Sequence, residues 1–414
     1  MRAAAMALAA GLATPMAWGQ ASIIEIVDPG SDETIITPGD LNWNGSVLVG
    51  GANLIDSVRG KAFRWTQAEG FEFFLDALGG ADVSTTAYAV SADGTVIVGQ
   101  FDREAFRWDG HEFDRLGFLW EEVPDLRLSI AWAVSADGTV VVGESRDRGG
   151  DPDARQAFRW TQDSGMVGLG FPDGTDKSQA YGTNDDGSIV VGNASQPGLR
   201  GWIWRSGTRP EILPFFRVTE RVRVQGISED GRFVVGDRSE GTPVGSAFRW
   251  SSTGIVDLGE LPGDFRNATA FDASADGSVV VGRTSRLVPT TFRFDAFVWT
   301  ERRGTVSVES ELNDCYGIDL AGRRLEDARA VSGDGRVVAI DGKDADGNPA
   351  AYLVTIPIAC RVDLDADGVL TIFDFLLFQN FFDGGDRAAD FDCDGELTVF
   401  DFLAFQNAFA AGCP

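Results

Sequence analysis

The sequence predicts an all-β, propeller-like domain of about seven four-stranded units, followed by a small α-helical module. Three observations carry this expectation. Two short phrases alternate seven times along the chain, Gly is abundant at 51 residues of 414, and a strand-like segment at 22–27 precedes the first unit unassigned.

The first phrase is a turn running into a strand. Asn42-Trp43-Asn44-Gly45 precedes SVLVG, and Ser91-Ala92-Asp93-Gly94 precedes TVIVG; the phrase returns at Ser135, Asn184, Ser228 and Ser274, and in worn form at Ser332. Gly accepts the positive φ of a two-residue turn without penalty, and the β-branched run after it suits a pleated strand. The second phrase, Ala62-Phe63-Arg64-Trp65, recurs at Ala105, Ala157 and Ala247. Altered copies stand at Gly201-Trp202-Ile203-Trp204, Ala296-Phe297-Val298-Trp299 and Ala351-Tyr352-Leu353-Val354.

One full unit, 131–170, reads as strands at 131–135, 139–144, 156–161 and 165–169, with a polar loop between the second and third. The turn phrases stand 44 to 58 residues apart, the size of a propeller blade. The seventh unit has room for three strands before the chain changes character. Pairing 22–27 with it would close the ring and remove two open edges. In a strand, Phe63 and Trp65 share one face and Ala62 and Arg64 the other. Sister units place Ile203, Val298 and Leu353 where Arg64 stands, so the position reads as a packed stem rather than an acid–base group.

The N-terminus reads as a signal peptide over 1–19. Arg2 supplies the positive end, 3–13 is a short apolar run, and Ala17-Trp18-Gly19 offers small residues for cleavage. The mature protein is therefore expected to be secreted, outside the cytoplasm or at the cell surface, with the repeat domain at 22–358. No later segment is long and apolar enough to span a bilayer. A formal charge of -28 argues against nucleic-acid or anionic-membrane partners, which need a basic face.

The strongest chemical signal lies in the last segment, 360–414. Asp363, Asp365 and Asp367 hold positions 1, 3 and 5 of a twelve-residue loop, with Gly368 at position 6 and Asp374 at position 12; Asp390, Asp392, Asp394, Gly395 and Asp401 repeat the pattern. Alternating Asp residues turn several oxygens toward one centre, as a hard cation requires, and the Gly permits the bend. The carbonyls of Val369 and Glu396 would fill position 7, and Thr371 and Thr398 stand at position 9. Two such loops predict two calcium ions. The segment carries two Arg against ten Asp and one Glu, a balance that repels itself without a cation.

Four cysteines, Cys315, Cys360, Cys393 and Cys413, fit an oxidising compartment. Cys360 and Cys413 bracket the C-terminal module, which favours a clasp between them; Cys315 and Cys393 would then pair across the junction or stay free. Their spacing is wrong for zinc, and His111 is the single histidine.

AFRW, then Gly165-Met166-Val167-Gly168-Leu169-Gly170, then AVSADGTVVVG, resembles the HAF-type extracellular repeat over roughly residues 40 to 355. That family is defined by its repeats and lends no catalytic residues. The C-terminal segment has Asp at loop position 12 and one helix after each loop, and each loop enters the phrase F-D-F-L-x-F-Q-N. It resembles the EF-hand-like dockerin type I module. The resemblance implies a cohesin-like or other extracellular protein partner, met by loop positions 10 and 11: Ile372 and Phe373, and Val399 and Phe400. Both helices are more apolar than in the better-known dockerins.

The favoured functional expectation is a non-catalytic extracellular binding and assembly protein attached through its calcium module, with carbohydrate as a candidate ligand of the propeller. A tethered glycoside hydrolase or lyase of polysaccharide breakdown is the alternative, and a surface-coat protein a third. No acid pair outside the calcium loops stands apart from the repeat, and His111 lies in a variable loop, so no catalytic residue is assigned.

Overall fold

A computed structural model describes residues 21–412, apart from short segments at 29–33, 55–59, 74–82, 121–126, 149–150, 196–197, 215, 218, 241–244, 264, 289–290, 357–360, 366–368 and 394. The expected signal peptide, Cys360, Cys413, Asp367 and Asp394 lie outside the described residues.

The repeats form seven four-stranded antiparallel sheets arranged as the blades of a propeller. Six blades use four consecutive strands. In the seventh, Arg324–Val331, Val337–Lys343 and Pro349–Thr355 are completed by the N-terminal strand Ser22–Ile26, which pairs antiparallel with Pro349–Thr355. The expected ring closure is therefore present, and it covers the edge that the last repeat would otherwise leave open.

The turn phrase closes the ring a second time, through backbone hydrogen bonds from each turn to the next. Trp43 N–H donates to Ala92 C=O, Ala92 to Ala136, Ala136 to Asp185 and Asp185 to Glu229; Asp230 donates to Ala275, Ala275 to Gly333 and Asp334 back to Trp43, all between 2.8 and 3.1 Å. Within each turn the first polar residue caps the next strand: Ser91 Oγ accepts from Val96 N, and Ser135 Oγ from Val140 N, both at 2.9 Å. Gly94 has φ +78, and a Cβ there would stand 2.7 Å from Val47 Cγ2 of the preceding blade. Glycine is thus required both by backbone conformation and by the close approach of two blades.

The second phrase supplies the core. Phe63, Phe106, Phe158, Phe248 and Phe297 are fully buried, as are Trp202 and Tyr352 at the altered copies. Most are packed between neighbouring blades with the aliphatic residues of the second strands. In the third unit the observed strands are Leu128–Val134, Val141–Arg148, Asp151–Thr161 and Gly165–Gly170. The stretch expected as a polar loop is a hairpin instead, because Arg146 pairs across with Arg155 and Arg148 with Asp151. Blade 6 has a similarly long hairpin, Val279–Val288 with Thr291–Thr300.

The C-terminal segment forms two helices, α1 (Ile372–Gly384) and α2 (Val399–Ala411). Phe378 stacks on Phe405 with centroids 4.3 Å apart, and both are buried. A disulfide joins Cys315, at the end of the short helical turn after blade 6, to Cys393. Of the arrangements left open by the sequence, the pairing across the junction is the one observed. Among the described residues no helix is long and apolar enough to cross a membrane.

Candidate functional site: the axial funnel and the C-terminal loops

Each innermost strand carries a bulge at the same place. The register shifts between Pro38 and Asp40, Ala87 and Ala89, Ala131 and Ala133, Ala180 and Gly182, Val224 and Gly226, Ala270 and Asp272, and Ala328 and Ala330. The extra residue is left unpaired, and a bulge re-aims its side chain. These seven residues, Gly39, Tyr88, Trp132, Tyr181, Gln225, Phe271 and Arg329, all line one cavity of about 450 Å³ on the axis. The repeat thus builds the scaffold from recurring phrases and gives the cavity one variable position per blade, which is glycine in the first blade and a larger residue in the other six.

The ring has two dissimilar sides. On blades 2 to 4, Tyr88 and Trp132 lie 4.5 Å apart and Trp132 and Tyr181 5.6 Å apart, between ring centroids, making a continuous aromatic arc. The buried Trp132 Nε1 has no acceptor among the described residues. Burial raises the pKa of both tyrosines. On blades 6 and 7, Arg329 donates to Asp341 at 2.8 Å and to Asp327 at 2.9 Å, and Arg283 meets both oxygens of Asp327 at 3.2 Å. Both guanidiniums lie over the Phe271 ring. Asp341 is pushed up to about 6 by loss of water, against the pull of Arg329.

Carboxyl groups also line the cavity toward the turn ring. Asp40 accepts from Leu41 N and from Val90 N of the next blade; Asp272 accepts from Ala273 N and Val331 N in the same way. These two aspartates are structural staples, yet removal from water dominates. It pushes Asp40 to about 8, helped by the charge of Asp272, and Asp272 itself to about 6. Glu229 rises to about 7 through desolvation, with Asp185 and Asp272 adding. Groups poised between 6 and 8 can take or give a proton near neutral pH.

None of these cavity residues was singled out by the sequence reading, which found no acid pair apart from the repeat. The usable signal was local: a bulky residue between two small ones just before the turn phrase, as in Ala87-Tyr88-Ala89 and Ala131-Trp132-Ala133.

The C-terminal loops bring together most of the residues expected there. Carboxylate oxygens of Asp363, Asp365 and Asp374 lie within 4.8 Å of one another, as do those of Asp390, Asp392 and Asp401, and either group could hold a metal ion. Asp374, Asp390 and Asp401 are fully buried and Asp363 nearly so. Buried carboxylates need a compensating charge, and among the described residues the buried Oδ1 of Asp390 has no hydrogen-bond partner, which fits a cation. Asp374 also closes the loop, accepting from Leu364 N and Thr371 N, both at 2.8 Å; Asp401 accepts from Thr398 N at 2.7 Å. Thr371 and Thr398 cap α1 and α2 through Phe373 N and Phe400 N. Val369 and Glu396 are exposed. Ile372, Phe373, Val399 and Phe400 are 62–64% exposed, so they do not hold the helices together.

No protein-family description matches the chain, and no curated protein matches it. Solved structures do. An oligogalacturonate lyase from Vibrio parahaemolyticus aligns over 82% of this chain and 98% of its own, with TM-score 0.52 and 12% identity. An oligogalacturonate lyase in complex with manganese covers 83% and 95%, with TM-score 0.53 and 15% identity. A prolyl endopeptidase covers 79% of this chain and 50% of its own, with TM-score 0.52 and 14% identity. At such identities the likeness establishes the fold. It also corrects the expectation of a non-catalytic assembly protein. That expectation took a repeat without catalytic residues of its own as a sign of a scaffold, and the same ring occurs in proteins named as a lyase and an endopeptidase.

Proposed function

We propose that the axial funnel is a saccharide site and that the protein acts on the sugar it seats there. The observation that carries the reading is the Tyr88–Trp132–Tyr181 arc opposite an Arg–Asp network. Aromatic faces offer flat apolar surface to the C–H side of a pyranose, while fixed Arg and Asp groups satisfy its hydroxyls. Glu229 is the candidate acid–base group, because its raised pKa matches proton transfer near neutrality and, among the described residues, no backbone amide holds its carboxylate. The name of the similar lyases supports a saccharide over a peptide.

The C-terminal loops are read as two calcium sites of the dockerin type, because all-oxygen sets of alternating aspartates suit a hard cation. Secretion is supported by the Cys315–Cys393 disulfide, which suits an oxidising compartment. The repeat phrases keep their resemblance to the HAF type.

The test is calorimetry of the full calcium-loaded chain against a panel of neutral and acidic oligosaccharides, with product analysis. At least one class should bind, and Trp132→Ala should weaken it about tenfold or more. Glu229→Gln should slow turnover while leaving binding in place. No binding by any class, or binding indifferent to Trp132→Ala, would overturn the reading.

A further inference from the structure

The second residue of each turn phrase forms a tier of its own. Its members are Trp43, Ala92, Ala136, Asp185, Glu229, Ala275 and Gly333, and all but Ala275 line the axial cavity. The tier holds one aromatic residue and one glycine, and the two are neighbours: Asp334 N–H donates to Trp43 C=O at 3.0 Å. The pairing is steric. A Cβ at Gly333 would fall inside contact distance of Trp43 Cδ1 and stand 2.9 Å from Trp43 Nε1. The missing side chain is what lets the indole of blade 1 lie against blade 7. The same point is 3.0 Å from Oε1 of Glu229, which comes from blade 5. Trp43 and the candidate acid–base group therefore converge on one spot of the cavity wall.

Trp43 is 47% exposed, so this large apolar ring does not fill the core. Blade 1 is also the blade with glycine, Gly39, at its bulge position. A Cβ at Gly39 would stand 2.8 Å from Ala87 C=O, so the backbone of blade 2 forbids a side chain there. Blade 1 is thus open at the bulge tier and aromatic at the turn tier, the reverse of blades 2 and 3, where Tyr88 and Trp132 precede Ala92 and Ala136. The charges of the lining have one prevailing sign. Four carboxyl groups, Asp40, Asp185, Glu229 and Asp272, stand against one guanidinium, Arg329, and Arg329 is already bonded to Asp327 and Asp341. The cavity offers hydrogen-bonding groups for hydroxyls and no spare cation.

We propose that Trp43 is a second sugar subsite of the funnel: one unit of an uncharged oligosaccharide lies on the Tyr88–Trp132–Tyr181 arc and another on Trp43, beside Glu229. The inference rests on the saccharide reading and deepens it. An indole with an accessible face gives the C–H side of a pyranose a rigid apolar surface, and the carboxyl beside it reaches the hydroxyls at the ring's edge. An anionic sugar would meet like charge on the same wall, which costs affinity. Gly333 is the seat of the indole and sets where the second unit lies.

Calorimetry of the full chain tests this with three series of one to three units: glucose, galactose and galacturonate. In at least one neutral series the trimer should bind about tenfold or more tightly than the monosaccharide. Trp43→Ala should remove that gain, so that the trimer binds no better than the single sugar, and Trp43→Phe should restore part of it. Gly333→Ala keeps the indole but displaces it, and should lower the gain as well. Trp132→Ala, on the arc, should weaken every length. Retention of the gain in both Trp43→Ala and Gly333→Ala overturns the proposal and leaves the saccharide reading standing. Loss of all lengths together in Trp43→Ala also overturns it, because the ring would then support the fold of the whole site. A galacturonate series that binds as tightly as the neutral ones overturns the assignment of an uncharged sugar. Binding of none of the three series takes the saccharide reading down as well.

Discussion

Arg159 Nε donates to the carbonyl of Gly187 at 3.1 Å, joining the third strand of blade 3 to the turn phrase of blade 4. Arg107 makes the same bond to Gly138 at 3.0 Å, and Arg249 to Gly277 at 3.0 Å. In these three copies of the AFRW phrase the arginine is therefore more than a packed stem: its head straps one blade to the turn of the next, whereas Arg64 of the first copy turns to Glu69 and Glu72. Units with Ile203, Val298 or Leu353 at this position do without the strap. Arg159→Leu should cost about 1 kcal/mol, since one hydrogen bond is lost and the stem's apolar contact is kept. Urea denaturation of the variant checks it, and an unchanged midpoint would return the residue to a passive role.

The turn glycine should be much less forgiving. Gly94→Ala meets both a φ of +78 and Val47 Cγ2 at 2.7 Å. The expected loss is about 2 kcal/mol or more. Adding Val47→Ala relieves the clash but not the backbone strain, so it should restore only part of the loss beyond its own cavity cost. A double-mutant cycle on thermal stability separates the two terms.

Legibility followed repetition. The seven units could be read because each turn must satisfy the same two demands, a positive φ and a blade approaching within van der Waals range, and only Gly meets both. Ring closure was legible because Ile23, Ile24 and Ile26 form a strand with no other partner. The funnel was hidden for the opposite reason. Its residues are the ones the repeat leaves free to vary, so a search for shared phrases passes over Trp132 and Arg329. The acids Asp40 and Asp272 were hidden because each serves only one blade junction. The carboxylate clusters of the two C-terminal loops were legible because their spacing is local. The Cys315–Cys393 bond was left open because it depends on where the module sits against blade 6.

The buried acids predict a direction for pH dependence. Asp40, Glu229 and Asp272 have folded pKa values of about 8, 7 and 6, all above their unfolded values near 4. The folded state therefore holds more protons than the unfolded chain across that window, and stability should fall as pH rises from 5 to 8.5. Asp40→Asn should flatten the upper part of the slope. Thermal midpoints measured at half-unit pH intervals check this, and a midpoint rising over that range would refute the assignment.

The last prediction concerns the two loops as an internal comparison. Cys393 stands inside the second loop, between Asp392 and Asp394, and is bonded to Cys315 of the propeller domain. Arg361 holds the same loop by donating to the carbonyls of Asp390 and Phe391, and it lies over Tyr316. The first loop has Ala366 at the position of Cys393, and among the described residues Asp363 ties it to the ring through an ion pair with Arg336 at 3.5 Å. A tether that pre-orders a loop reduces the ordering cost of binding. Calcium titration of the full chain should show about two ions, with Asp363→Ala and Asp390→Ala each removing one. Cys315→Ser should weaken one of the two sites roughly three- to tenfold and spare the other. Chelation should lower helicity and expose 361–412 to hydrogen exchange while the blades stay protected. If Cys315→Ser shifts both affinities equally, the disulfide steadies the module as a whole and the second loop gains nothing of its own. If calcium produces no heat and chelation no change in exchange, the loops are not calcium sites.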